Sequence, residues 1–206
     1  MVQTAQPTAP KSDLSLEERP ARRRLTIDEC LRMQEAGILS GDERLELYDG
    51  ELLMMSPIGG PHRWVVRTLS YLLFEKLPRS VAEVEIQGGI DLSPVSQLSP
   101  DIAVVSSKLR NTSRGPAAAD VLLLIEVSDT TLKTDRGWKK QVYAQAGICE
   151  YWIINLPEKR LEINRSPDPE AQTYRVSFSL AEDGRIAPLA FPDVVIDAAV
   201  LFPPED

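Results

Sequence analysis

Histidine is almost missing from this chain and cysteine is scarce: one His and two Cys stand among 206 residues. With His62 alone, a multi-histidine metal centre is excluded. Cys30 and Cys149 lack CxxC spacing, which argues against a zinc site and against a disulfide framework; both are expected to be buried free thiols. A metal site here would need oxygen ligands, which points to magnesium or manganese. No apolar run approaches the roughly 18 residues that span a bilayer, and the first residues lack the apolar core of a secretion signal. The chain therefore reads as cytoplasmic, with no membrane partner. Positive charge is in deficit, at 23 basic against 31 acidic residues and a net −8. That disfavours non-specific nucleic-acid binding, which rests on neutralising phosphates. Two local basic clusters stand out, one of Lys133, Arg136, Lys139 and Lys140, the other of Arg22, Arg23 and Arg24. Solvated helix surface is the plainer reading of both.

What is present suits one medium domain. Residues 1–24, rich in Pro, Ala, Ser and charge, are expected to be a flexible tail, and residues 25–206 a single domain. Thr26 reads as a helix N-cap with Glu29 as its capping-box partner, and Gly37 as the stop. "RLELYDGELLMM" predicts a hairpin around Asp49-Gly50. Apolar residues from Trp64 to Leu73 repeat with helical period, predicting a helix over 62–77. "VAEVEIQGGIDLS" predicts two strands broken at Gly88-Gly89, and "SPDIAVVS" another. "DVLLLIEVS" is the most apolar strand and belongs at a sheet centre. A helix is predicted over 135–146, then a strand in "EYWIINL". "KRLEINRS" and "TYRVSFSL" predict an edge hairpin, and "PDVVIDAAVLF" ends in a short helix or turn. There are no internal repeats. The order predicts an α/β or α+β fold: a mixed central sheet with helices on both faces, an N-terminal helix and extra hairpin strands.

Two acids interrupt or border these apolar strands, Asp101 and Glu126. A carboxylate on a central strand is costly to desolvate unless a positive group pairs with it. An ion pair, or a place at the solvated strand end, accounts for either acid alone. Two on neighbouring strands also suit one divalent cation, which takes one or two protein carboxylates and fills its other positions with water or phosphate oxygen. The main-chain carbonyl of Val127 offers a further oxygen. Lys139, on the helix that follows, is placed to act on an attacking water or on the charge that develops at phosphorus. Asp135, Lys139 and Tyr143 recur every fourth residue and so share a helix face. Tyr143 and Trp152 read as packing residues.

"LELYDGELLMMSP", Pro61-His62, "SPDIAVV", "LIEVSDTTLKTDRGWKKQVYAQAGICEYWII" and "VVIDAAVLF" follow in order, and together they resemble the Uma-two family of the PD-(D/E)XK restriction-endonuclease-like superfamily, over residues 25–202. The resemblance implies a mixed sheet flanked by helices and a magnesium- or manganese-dependent endonuclease acting on DNA. It maps the superfamily's PD acid onto Asp101, its second acid onto Glu126, its helix lysine onto Lys139 with Lys140 as the alternative, and its early acid onto Glu46. His62 matches the family's histidine at a helix start, with Asp135 a further accessory residue. One position departs from the superfamily pattern: two residues after Glu126, where a lysine belongs, stands Ser128.

Three readings follow. The first is a metal-dependent DNA endonuclease. The second, prompted by Ser128 and the acidic charge, is a non-catalytic metal- or DNA-binding module of the same fold. The third is a purely structural ion pair between Glu126 and Lys139. A homodimer formed through the strands near Leu161 and Tyr174 is an expectation by fold analogy alone.

Overall fold

In a computed structural model, residues 22–40, 43–109 and 115–203 are described. The tail expected over residues 1–24 lies outside them except for its last three residues. Arg22, Arg23 and Arg24 precede the first helix rather than coating it, and they pair with Glu51, Glu29 and Asp49.

Thr26 caps the first helix, α1 (Ile27–Glu35), as its sequence predicts. Its hydroxyl accepts from the Glu29 N–H at 3.3 Å, and the Glu29 carboxylate accepts from the Thr26 N–H at 3.0 Å. Each satisfies a main-chain donor that a helix start leaves unpaired. The hairpin of β1 (Leu45–Tyr48) and β2 (Glu51–Met54) turns through Asp49 and Gly50, both at positive φ (50° and 77°), the geometry that favours Asp-Gly in a two-residue turn. These strands join β4 (Ile90–Ser93) and β5 (Ser96–Leu98) in a four-stranded sheet, ordered β2-β1-β5-β4. Three residues with a polar centre give too little periodicity to predict β5.

The second sheet has six strands in the order β10-β9-β8-β7-β6-β3. They are β3 (Ala82–Ile86), β6 (Ile102–Ser106), β7 (Val121–Ser128), β8 (Glu150–Asn155), β9 (Arg160–Asp168) and β10 (Thr173–Leu180). β7 and β8 run parallel and all other neighbours antiparallel, so the sheet is mixed, with the apolar β7 near its middle. A parallel neighbour needs a long crossover, supplied here by residues 129–149. α2 (Gly60–Lys76) covers one face: its Val65, Leu69 and Leu73 pack with Leu123, Ile125, Val127, Trp152 and Ile154. The crossover covers the other, where Val142, Tyr143 and Ala144 pack with Leu124, Tyr151 and Ile153. Both faces of β7 are thus buried, and its alternation turns Glu126 toward the crossover. A small pair, β11 (Arg185–Ile186) with β12 (Ile196–Asp197), and a 3-10 turn over Ala198–Leu201 close the chain. Among the described residues no helix is long and apolar enough to cross a membrane.

Three expectations need correction. β9 is not an edge strand: it sits between β8 and β10, and of this hairpin only β10 has an open side. Its pairing runs on to Asp168, past Pro167. The cysteines are not buried, Cys30 being half-buried and Cys149 exposed, because α1 buries little beyond Ile27 and Cys149 lies in the bend just before β8. Most informative is the crossover, which is not one helix. A short α3 (Leu132–Thr134) leads into a wide π-type turn over Asp135–Lys139, broken by non-helical Gly137 (φ −93°, ψ −114°), before α4 (Lys140–Gln145).

Gly50 joins the first sheet to the chain entering α1. A Cβ there would lie 2.3 Å from Arg24 Cβ, whereas one at Gly37, also at positive φ (70°), would meet nothing within 4 Å. Gly37→Ala should therefore cost only the left-handed backbone penalty, about 1–2 kcal/mol. Gly50→Ala should cost clearly more in urea unfolding, and equal losses would show that the Arg24 contact does not constrain the turn.

Candidate functional site

Antiparallel register places the two strand acids side by side. β6 pairs Ile102 with Ile125, so Asp101, just before β6, falls beside Glu126. The Val127 N–H donates to Asp101 Oδ2 at 2.8 Å, and the Asp101 N–H makes a long contact of 3.4 Å with Glu126 Oε2. The same linker, Ser99-Pro100-Asp101, ties in the first sheet: the Ser99 N–H donates to Glu46 Oε1 at 3.0 Å. Lys139 completes the group from the crossover. Its Nζ lies 3.0 Å from Glu126 Oε1 and 3.0 Å from Glu46 Oε1, while Trp138 packs its ring on Tyr48, centroids 5.0 Å apart. Glu46, His62, Asp101, Glu126, Asp135 and Lys139 all line one cleft of about 470 Å³.

The wide turn changes how the helix face is used. Lys139 and Tyr143 both reach Glu126 Oε1, the Tyr143 hydroxyl donating at 2.9 Å. Asp135 instead accepts from Ser128 Oγ at 2.7 Å and Thr131 Oγ1 at 2.6 Å. Tyr143, expected only to pack, is thus a direct hydrogen-bond partner of Glu126. Its spacing four residues after Lys139 was the available signal. Ser128, at the position where a lysine was expected, holds Asp135. His62 sits in the first turn of α2, with Nε2 2.9 Å from Asp101 Oδ2, while its buried Nδ1 has no partner. Lys140 lies apart, against Ser177 Oγ of β10 at 3.3 Å. Within the basic cluster around it, Lys139 is buried and Arg136 is held by Glu158 and Glu162, while Lys133 is exposed.

The electrostatics are unbalanced. Glu46, Asp101, Glu126 and Asp135 are only 4%, 6%, 4% and 2% exposed, yet the one lysine among them is Lys139. Burial pushes the Glu126 carboxyl well above the ordinary carboxylate range, with Lys139 opposing and Asp101, Asp135 and Glu46 reinforcing. Burial also raises Asp135, against its Ser128 and Thr131 hydrogen bonds. Burial works against the charge of Lys139 too, but Glu126 and Glu46 outweigh it and hold the ammonium above the ordinary lysine range. Acid and base shift in the same direction for different reasons: burial disfavours the charged carboxylate of Glu126, while the neighbouring carboxylates favour the charged Lys139 in spite of burial. Among the described residues no three His, Cys, Asp or Glu side chains form a ready-made metal cluster.

Residues 27–199 match the Uma2 family, described as "Putative restriction endonuclease". No curated protein matches. Among solved structures the chain is similar to a crystal structure described as a "putative nuclease belonging to DUF820" from Anabaena variabilis. The two share 16% identity with a TM-score of 0.66, over 86% of this chain and 97% of that one. The mixed sheet flanked by helices is the restriction-endonuclease-like fold.

The raised carboxyls set a pH dependence. Glu126 and Asp135 keep their protons in the fold at pH values where the unfolded chain, with carboxyl pKa of about 4, has lost them. The folded state then binds more protons, so stability falls as pH rises through that window. Glu126→Gln is expected to lessen the fall in Tm between about pH 5 and pH 8. Lys139→Met removes the buried cation and should cost about 3–5 kcal/mol near neutrality, less in acid, where the carboxyls are protonated. Urea titrations at the two pH values check this, and a pH-independent loss would contradict a strained acidic cluster.

Proposed function

This chain belongs to the Uma2 family, and from that premise we propose that its acidic cleft hydrolyses DNA phosphodiester bonds with a divalent cation, magnesium or manganese, held by Asp101 and Glu126. The observation that carries this reading is the Lys139 ammonium, 3.0 Å from Glu126 Oε1 and aimed into the cleft that Asp101 also lines. It brings to Glu126 the positive charge that Ser128 lacks.

The donors suit such a cation. They are hard oxygens, and magnesium commonly needs only one or two carboxylates and keeps several waters, so a pair of acids with the Val127 carbonyl is a sufficient set. The surplus of buried negative charge also favours a further positive one. When bound, the cation would supply Lewis-acid charge to the phosphoryl oxygens and acidify the attacking water.

The chain's own residues then have distinct tasks. Lys139, kept protonated by Glu126 and Glu46, serves as a hydrogen-bond donor and fixed charge for the oxygens on which negative charge develops, rather than as a base. Lys139 and Tyr143 hold one oxygen of Glu126 and leave the other toward Asp101. His62 and the Val127 N–H orient Asp101 Oδ2. Glu46 positions Lys139 from the other sheet, and Asp135 adds to the negative potential. By fold analogy, two copies would address the two strands of a duplex. A second reading, a non-catalytic module that binds metal or DNA, is favoured by Ser128, whose hydroxyl is committed to Asp135.

Plasmid nicking with Mg²⁺ or Mn²⁺ tests the proposal. Asp101→Asn, Glu126→Gln and Lys139→Met are each expected to lower the rate by about 10²-fold or more. Magnesium at about one hundred times its Kd should stabilise the wild type by about 2.7 kcal/mol and do so far less in Asp101→Asn. Nicking that survives Asp101→Asn unchanged removes the enzymatic assignment. Metal-dependent stabilisation without nicking leaves the second reading.

A further inference from the structure

We propose that the exposed face of α2 is a tract for an unpaired DNA strand, leading it to the cleft at Asp101; this rests on the nuclease reading above. Arg63, Arg67 and Tyr71 recur every fourth residue, with Phe74 one turn further on, so they share one side of the helix. All four are exposed, Tyr71 at 70% and Phe74 at 40%, although large rings are ordinarily covered. With Ile86 and Gln87, at the end of β3, they line a groove of about 600 Å³.

The charge of this groove sets it apart. No Asp or Glu lines it, in a chain that carries 31 acids. Arg63 donates to the Ile58 carbonyl at 3.3 Å, and among the described residues neither Arg63 nor Arg67 has a carboxylate partner. Arg136, Arg165 and Arg185 elsewhere each do. The groove is also continuous with the cleft. Ile58 and His62 line both hollows. Gln87 donates its N–H to the Asp101 carbonyl at 3.1 Å, with its side-chain Nε2 3.5 Å from Asp101 Oδ1. The two hollows therefore meet at the proposed metal-holding acid.

Guanidinium groups bind phosphate through forked donors, and an exposed ring stacks on a base whatever its identity. A base stacked on a side chain has left its duplex partner, so this combination fits a single strand better than a closed helix. A second copy docked through the same face is the poorer occupant, because it would set arginine against arginine with no carboxylate between them.

Fluorescence anisotropy with a labelled single strand of about 20 nucleotides, and with the matching duplex, tests the tract in EDTA, where binding is read without cleavage. Tyr71→Ala is expected to weaken single-strand binding about 5- to 100-fold and to change duplex binding little. Arg63→Ala and Arg67→Ala should each lessen the slope of log affinity against log salt by about 0.7. Arg185→Ala should match the wild type. The proposal is overturned if the Tyr71 and arginine variants bind the single strand as the wild type does, or if Tyr71→Ala with Phe74→Ala alters the sedimenting mass in the absence of DNA. Intact, Tyr71-dependent binding without any nicking would count against the nuclease reading alone and leave the tract standing.

Discussion

The Lys139 ammonium joins three parts of the fold at one buried point. It comes from the crossover between β7 and β8, and it bonds Glu46 of the four-stranded sheet and Glu126 of the six-stranded one. Each carboxylate would be expensive to bury alone. Together with the lysine they are tolerated, but only if the two sheets and the crossover keep their relative positions. The Ser99-to-Asp101 linker, the Tyr48–Trp138 ring contact and the Tyr143 hydroxyl all hold that arrangement.

The arrangement is compensated without being neutral. One lysine serves four nearly inaccessible acids; burial raises the Glu126 carboxyl and the carboxylates raise Lys139, so acid and base both retain protons more strongly than in water. Acids buried in this excess are costly to fold, and the cation proposed for the cleft would offset that cost. The nearby face of α2 has the opposite character, with two arginines and two rings and no acid. Net charge hides this division: an overall −8 describes neither the acidic cleft nor the cationic groove beside it, and association depends on the local field.

Much of the architecture was legible because it rests on local chemistry. Thr26 with Glu29, Asp49-Gly50 and the apolar run ending at Glu126 each name their own structure, since capping, turn geometry and burial act over a few residues. Short elements without a period were not legible: β5 and β11 exist because a neighbouring strand pairs with them. The helix predicted over 135–146 failed at Gly137, where a wide turn interrupts the four-residue repeat. The wide turn parts Asp135 from Lys139 and Tyr143, so that two of the three groups meet Glu126 and the third meets Ser128 and Thr131.

By itself the sequence determined which chemistry was available: oxygen ligands rather than sulfur or multiple imidazoles, acids at strand positions where burial is expensive, and a lysine on the following segment. Strand alternation and composition suffice for that, because both are properties of neighbouring residues. Tertiary structure alone decided which groups meet. It set Asp101 beside Glu126 through antiparallel register, brought Glu46 across from a second sheet, separated Lys140 from Lys139, and laid the groove along Arg63, Arg67 and Tyr71 of α2 next to the cleft that holds Asp101. Those encounters join residues as many as 93 positions apart, and only the packing of the two sheets and their helices brings such positions within hydrogen-bond distance.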